Sequence, residues 1–311
     1  MKLSGLIKIW LVSISLIGLQ GCAVSKTAQI DRETASELSN QNLDLLFATE
    51  FPVASKDEAL LKASRAYRSA EFSKAQFFLV KALAFDSSDT EVLSQIGNLH
   101  VRKGNGKLAG RAFHFALQHD PQHAPSLEGI GLLYFRAGND EAAQKHLEAA
   151  IAVRPDLWRA HNALGVIADR ANKFQLAQRH YNSALEIQPL ADSILINRGY
   201  SKYLNENYHS AAVDFFTVAE RSGDDKAWRN LGLVYARQGW YEDALESFLR
   251  VEEERDAYNE TGAIAMSNGD HSTALRYLNE ALRLSPTYFA KAEKNIAQLR
   301  KQSSHAFVTP E

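Results

Sequence analysis

The chain has 311 residues, 45% hydrophobic and 23% charged, with Lys+Arg 35 against Asp+Glu 37. That length buries the core of one large or two ordinary domains, and the near balance of charge leaves no electrostatic footprint for nucleic acid or an anionic membrane surface. A single cysteine, Cys22, excludes an intrachain disulfide framework and argues against a cysteine zinc site. Seven prolines among plentiful alanine and leucine favour helix.

Lys2 and Lys8 give the chain a positive start, and an apolar run follows from Ile9 to Leu19, broken by Ser13, Ser15 and Gly18. Crossing the hydrocarbon core takes ~20 apolar residues. The run is shorter and reads as a signal peptide over residues 1–21. Leu19-Gln20-Gly21-Cys22 then resembles the bacterial lipobox, with Gln20 where a small or β-branched residue is usual. The resemblance implies that Cys22 becomes the lipidated first residue, its acyl chains each gaining about 0.8 kcal/mol per buried CH₂. Because Ala23 follows rather than Asp, it also implies sorting to the outer membrane of a Gram-negative cell, facing the periplasm. The competing reading is an ordinary signal peptide followed by a free thiol. Residues 22–55 are polar and weakly periodic, and they read as a tether with room for a short helix at 43–48.

The rest of the chain is one unit repeated seven times. Small residues recur at Ala63, Gly97, Gly131, Gly165, Gly199, Gly232 and Gly262, at spacings of 34, 34, 34, 34, 33 and 30. Twelve positions later stands an alanine each time (Ala75, Ala109, Ala143, Ala177, Ala211, Ala244, Ala274). Seven further on comes another small or β-branched residue (Ala82, Ala116, Ala150, Ala184, Val218, Val251, Ala281). Between these lies a bulky one: Leu79, Phe113, Leu147, Tyr181, Phe215, Phe248 or Leu278. Small residues let two helices approach, and the bulky one fills their interface. Gly104, Gly138, Gly239 and Gly269 fall at the turns, where a positive φ is cheap. Pro121, Pro155, Pro189 and Pro286 close units. One such hairpin cannot cover its own apolar face, so neighbours must stack into a solenoid. The last spacing places a shortened junction between units six and seven. A closing helix is expected over 287–302, with Phe289, Ala292, Ile296 and Leu299 on one face, and a frayed tail over 303–311.

Units such as SLEGIGLLYFRAGNDEAAQKHLEAAIAVRPD and AHNALGVIADRANKFQLAQRHYNSALEIQP resemble the tetratricopeptide repeat. The expected fold is therefore an all-α superhelical solenoid over residues 56–302, about seven hairpins and a capping helix. Chemistry is not indicated. His119 and His123 flank Pro121 at a junction and cannot share a helix face. Gly129-x-Gly131 belongs to the repeat framework, and no Gly-x-Ser-x-Gly occurs. No catalytic residue, metal, cofactor or small-molecule substrate is expected.

In this repeat class, positions 2, 5, 9 and 12 of the first helix face the concave side. The resemblance carries Ser94, Asn98 and Val101 to that wall from unit two, Glu128, Leu132 and Phe135 from unit three, and Asn162, Val166 and Asp169 from unit four. Units five to seven supply Ile196, Tyr200 and Tyr203, then Arg229, Leu233 and Ala236, then Asn259, Ala263 and Met266. The successive Lys/Arg and Asn pairs with which some members grip a peptide carboxylate are missing. Instead Leu132, Phe135, Val166, Ile196, Tyr200, Tyr203 and Leu233 form an apolar and aromatic stripe suited to a protein partner, unless they pack between neighbouring first helices. Residues 257–299 and 197–216 further resemble the TadD family, the repeat lipoproteins of tight-adherence (Flp) pilus assembly. That resemblance implies a scaffold or pilotin-like role toward a secretin or other pilus components. The alternative is an adaptor similar to NlpI, docking cell-wall hydrolases or proteases. Replacing the lone thiol tests the anchor: Cys22→Ser should abolish metabolic labelling by a fatty-acid analogue, and undiminished label would refute lipidation there.

Overall fold

A β-carbon added to Gly97, Gly131, Gly165, Gly199, Gly232 or Gly262 would fall 2.4–2.9 Å from a carbon of Phe113, Leu147, Tyr181, Phe215, Phe248 or Leu278, respectively. Carbon atoms pack at about 3.5–4.0 Å, so each glycine is the condition for a helix crossing. The computed structural model describes residues 53–285 and 289–306, with side chains to 301. In it the first antiparallel hairpin, α1 (Lys56–Arg68) with α2 (Phe72–Phe85), crosses at the buried Ala63, and the glycine crossings close those that follow: α3 (Thr90–Arg102) with α4 (Gly106–His119), α5 (Ala124–Arg136) with α6 (Asp140–Val153), and α7 (Trp158–Arg170) with α8 (Phe174–Ile187). Then follow α9 (Asp192–Leu204) with α10 (Tyr208–Ser222), α11 (Asp225–Arg237) with α12 (Tyr241–Leu249), and α13 (Glu254–Ser267) with α14 (His271–Arg283), before the closing helix α15 (Ala290–Ala306). The signal peptide, Cys22, the tether up to residue 52, Pro286, the expected start of the closing helix at 287 and the tail from 307 lie outside the described residues.

Each second helix packs against its own first helix and the next one, and from α3 onward each first helix also touches the next first helix. First helices therefore make the inner layer of a solenoid and second helices the outer one. The framework alanines, from Ala75 to Ala281, are fully buried with the bulky residues between them, so the core is a continuous file of small-to-large contacts. Helix starts are fixed by side-chain caps where the sequence supplies them. Ser55, Asp89, Asn139, Asn207, Asp224 and Asp270 each accept a backbone N–H from the first turn.

Within every hairpin the turn passes through a left-handed residue. Gly104, Gly138, Gly239 and Gly269 stand there at φ 75° to 83°, as expected, but so do Ala70, Asn172 and Glu206 at φ 56° to 58°. Those three units hold the same backbone shape without glycine, at a strain of about 1–2 kcal/mol for Ala70 and Glu206.

The irregular spacings have local causes. Unit five extends α10 to 15 residues and ends it at Gly223, φ 66°, with Asp224 capping the next helix. This two-residue corner replaces the proline loop. Unit six departs from expectation: the shortening falls within its second helix, not in the junction beyond it. α12 has 9 residues, and Val251 and Glu252 both donate backbone N–H groups to the Phe248 carbonyl at 2.9 Å, closing it early. The framework Val251 thus sits in the turn. The closing helix also runs past its expected end at 302 to Ala306, with Ala292, Ile296 and Leu299 buried against the last hairpin.

The early turn after α12 brings Glu252 beneath the first helices, where it contacts Arg229 and Glu260. Burial, then the adjacent Glu260, push the Glu252 carboxyl from 4.5 up to about 7 against the pull of Arg229. A raised carboxyl stabilises the fold fully below its unfolded value and loses that contribution as pH rises through the folded one. The melting temperature of units six and seven should therefore fall between pH 4.5 and about 7, and Glu252→Gln should flatten that slope. An unchanged slope by pH-resolved calorimetry would show that the Glu252 carboxyl is not the source of the pH dependence. Separately, Gly165→Leu should destabilise by about 3 kcal/mol, because Tyr181 Cε1 stands 2.5 Å from the added β-carbon. An unaltered melting curve would contradict the close crossing.

Candidate functional site

The inner wall at its N-terminal end is an open groove of about 710 Å³. α1 contributes Leu60 and Tyr67, α3 contributes Asn98 and Val101, and α5 contributes Glu128 and Leu132. Four arginines, Arg68, Arg102, Arg136 and Arg159, rim it. The structure thus brings together Asn98 and Val101 of unit two with Glu128 and Leu132 of unit three, and adds unit one, whose inner positions the repeat alignment had left unassigned. Ser94 is instead buried, donating to the Glu91 carbonyl at 3.0 Å, and Phe135 does not line the groove.

Most of the polar inner positions are spent on the scaffold. Glu128 accepts the Ala160 N–H at 3.2 Å, capping α7, whose own N-cap Leu157 offers no side-chain acceptor. Burial raises its carboxyl despite Arg159 nearby. Asn162 accepts from Asn197 at 3.0 Å, and Asn259 from Asn295 at 3.1 Å, each bond tying neighbouring inner helices. Asp169 accepts from Tyr181 Oη and Ser201 Oγ, both at 2.7 Å. Burial raises its carboxyl while these two donors lower it, so Asp169 joins α7, α8 and α9 rather than facing a ligand.

The apolar stripe divides in the same way. Leu132 and Phe135 pack against the unit-three core, Val166 and Ile196 against that of units four to six, and Leu233 against that of unit six. Arg170 lies over the Phe135 ring at 5.0 Å. Tyr203 is half-buried, touching the core beneath α9 and accepting from Arg237 Nε at 3.1 Å. Tyr200 is different: it is 47% exposed, its ring stacked on Tyr203 at 6.2 Å between centroids. Tyr208 completes the aromatic group, 5.6 Å from Tyr203.

α9 presents this pair from a fixed platform. Asp214 of α10 is buried and accepts from Arg198 at 2.7 and 2.9 Å and from Lys202 at 2.7 Å. Arg198 and Lys202 are one turn apart on α9, so one carboxylate sets that helix's rotation. Removing one partner of such a buried group typically costs about 3–5 kcal/mol.

The guanidinium ladder is a feature the repeat alignment passed over. Arg68, Arg102, Arg136 and Arg170 recur every 34 residues at the ends of first helices. Arg102 covers Tyr67 of the preceding unit at 5.9 Å, Arg170 covers Phe135, and Arg237 reaches Tyr203. The 34-residue arginine period was the available signal. Of the two junction histidines, His123 contacts Ser126 and Glu91, while His119 ends α4. Among the described residues, no group of three or more His, Cys, Asp or Glu side chains could hold a metal ion, and no helix is long and apolar enough to cross a membrane.

The tetratricopeptide-repeat family model matches residues 128–191, 197–257 and 230–289, together more than half of the chain. Among solved structures, PilF of Pseudomonas aeruginosa is 16% identical at a TM-score of 0.50, over 67% of this chain and 97% of its own. PilW, described as a widely conserved type IV pilus biogenesis factor, is 18% identical at 0.50, over 67% and 98%. A tetratricopeptide repeat protein from Parabacteroides merdae is 16% identical at 0.50, over 79% and 98%. At such identities the likeness is one of fold. No curated protein matches the chain by sequence.

Proposed function

We propose, for a chain that belongs to the tetratricopeptide-repeat family, the role of a scaffold that holds a partner protein against the inner wall of its solenoid, within pilus assembly at the outer membrane. The repeat family serves protein–protein interaction, and the arrangement supports that use here. The observation that carries the reading is Tyr200, an exposed aromatic ring braced on a second aromatic and presented by a helix whose rotation a buried ion pair fixes. Rigid aromatic anchors commonly dominate interface energies.

The narrower part of the proposal rests on the sequence. The lipobox-like Leu19–Cys22 supports a lipid anchor on Cys22 and a periplasm-facing location. The TadD-like blocks at 197–216 and 257–299 support tight-adherence pilus assembly, with a secretin or another pilus component as partner. That PilF and PilW share this fold, PilW being a type IV pilus biogenesis factor, is in keeping with the same reading.

Tyr200→Ala with Tyr203→Ala should weaken capture of the secretin by roughly 10²-fold, since each anchor removed costs about 2 kcal/mol or more, and surface pili should be lost. The helical signal should persist in the double variant with some loss of melting temperature, because Tyr203 packs on the core beneath α9, whereas Tyr200→Ala alone, at an exposed ring, should weaken capture with the melting temperature little changed. A folded double variant that still holds the secretin would remove the inner wall from the proposal. Recovery of cell-wall hydrolases instead of pilus components would favour the NlpI-like alternative.

A further inference from the structure

The outer face carries a second groove, between α4 and α5, of about 790 Å³. Its origin lies in unit two's departure from the repeat. The first residue of the second helix is large or polar in the other units: Phe72, Asp140, Phe174, Tyr208, Tyr241 and His271. In α4 it is Gly106. Four residues on, the other units place Gln76, Gln144, Gln178, Ala212, Leu245 or Leu275, and α4 places Gly110. In the preceding junction Lys103 donates to Gln76 at 2.9 Å and covers the seam. Here the matching pair is Ala137 and Gly110, which cannot reach one another.

A core residue is uncovered as a result. Leu99, Ile167, Ser201, Val234 and Ile264 occupy one framework position and are all buried at 9% exposure or less. Leu133 occupies the same position in unit three and is half-open to the groove, with Gly106 and Gly110 above it. Phe115, 49% exposed, and Tyr134, 40% exposed, stand at its sides. Lys107, Arg111 and His114 run along α4 as one stripe at its edge, and no acidic residue is among those lining it.

We infer that this outer groove is a docking site for an amphipathic helix of a partner protein, its apolar face bordered by carboxylates. The two glycines let a helix backbone approach α4 closely, Leu133, Phe115 and Tyr134 receive its apolar side chains, and the basic stripe pairs with its acidic border. This is helix-in-groove recognition, with charge complementarity choosing the partner. It is separate from the inner wall.

Two fluorescent stapled helical peptides test it, sharing an apolar stripe of Leu and Phe at i, i+3, i+4 and i+7, one bordered by Glu and the other by Lys. The Glu-bordered peptide should bind at least about 10-fold more tightly. Gly110→Gln should weaken it by at least about 10-fold, since it restores the side chain of units one, three and four. This change favours helix and meets no clash, the nearest atom to the new β-carbon being Leu133 Cδ1 at 3.7 Å. The protein should therefore stay folded while the groove closes. Tyr200→Ala with Tyr203→Ala should leave peptide binding unchanged. Equal binding of the two peptides, or no loss in Gly110→Gln, would overturn the inference. A photo-crosslinker in place of Phe115 in cells should join an acidic amphipathic segment of another protein. A product with a second copy of the chain, with its own residues 23–52 or with lipid would overturn the choice of occupant.

Discussion

The close crossing of two helices over one bulky side chain is the contact on which everything else rests. It occurs because glycine lets the first helix come within reach of a ring or leucine that a single methyl group would displace. Burying such a side chain contributes about 1.5–3 kcal/mol, modest alone, but the contact recurs from hairpin to hairpin and each recurrence fixes where the next unit must lie. Gly129 shows how the effect passes between units: its added β-carbon would lie 2.4 Å from Phe113 of the preceding hairpin. One phenylalanine thus sets both the hairpin that contains it and the junction to the next.

This explains why the fold was legible in the sequence. A crossing needs a residue of a particular size at a particular register, and Gly97 to Gly262 record that need directly. The left-handed turns were legible at Gly104 and Gly138 but not at Ala70 or Glu206, where the neighbouring crossings impose the conformation on residues that do not prefer it. Unit six was half legible. Its shortened spacing was plain, yet the loss fell within α12, because Ala244 and Phe248 must keep their places and the four residues could be removed only after them.

The site was less legible, for a physical reason. Position in a repeat states which wall a side chain belongs to, not what already occupies it. Glu128 and Asp169 sit at inner-wall positions and are engaged as a helix cap and a three-helix junction. Phe135 lies beneath Arg170 of the following unit, and the register alone does not reveal that cover. Tyr200 emerged as the open member of the stripe because Arg198 and Lys202, one turn apart, hold their face of α9 against Asp214 and leave Tyr200, two residues from each, on the opposite face.

A repeat protein can make a binding surface by addition or by omission, and units five and two of this array do each. On α9 an aromatic residue stands where the framework asks for nothing. On α4 two glycines stand where the other units place larger or polar residues, and the opening follows from what the framework would otherwise have covered. The second route leaves a sharper trace. An added side chain is hard to tell from a packing residue until its surroundings are known. A missing one uncovers a core position, here Leu133, whose counterparts in units two and four to seven are buried. In a solenoid that repeats its core faithfully, a half-open core residue marks the place where the chain has given up self-contact, and that loss of self-contact is what makes the outer face between α4 and α5 available to another molecule.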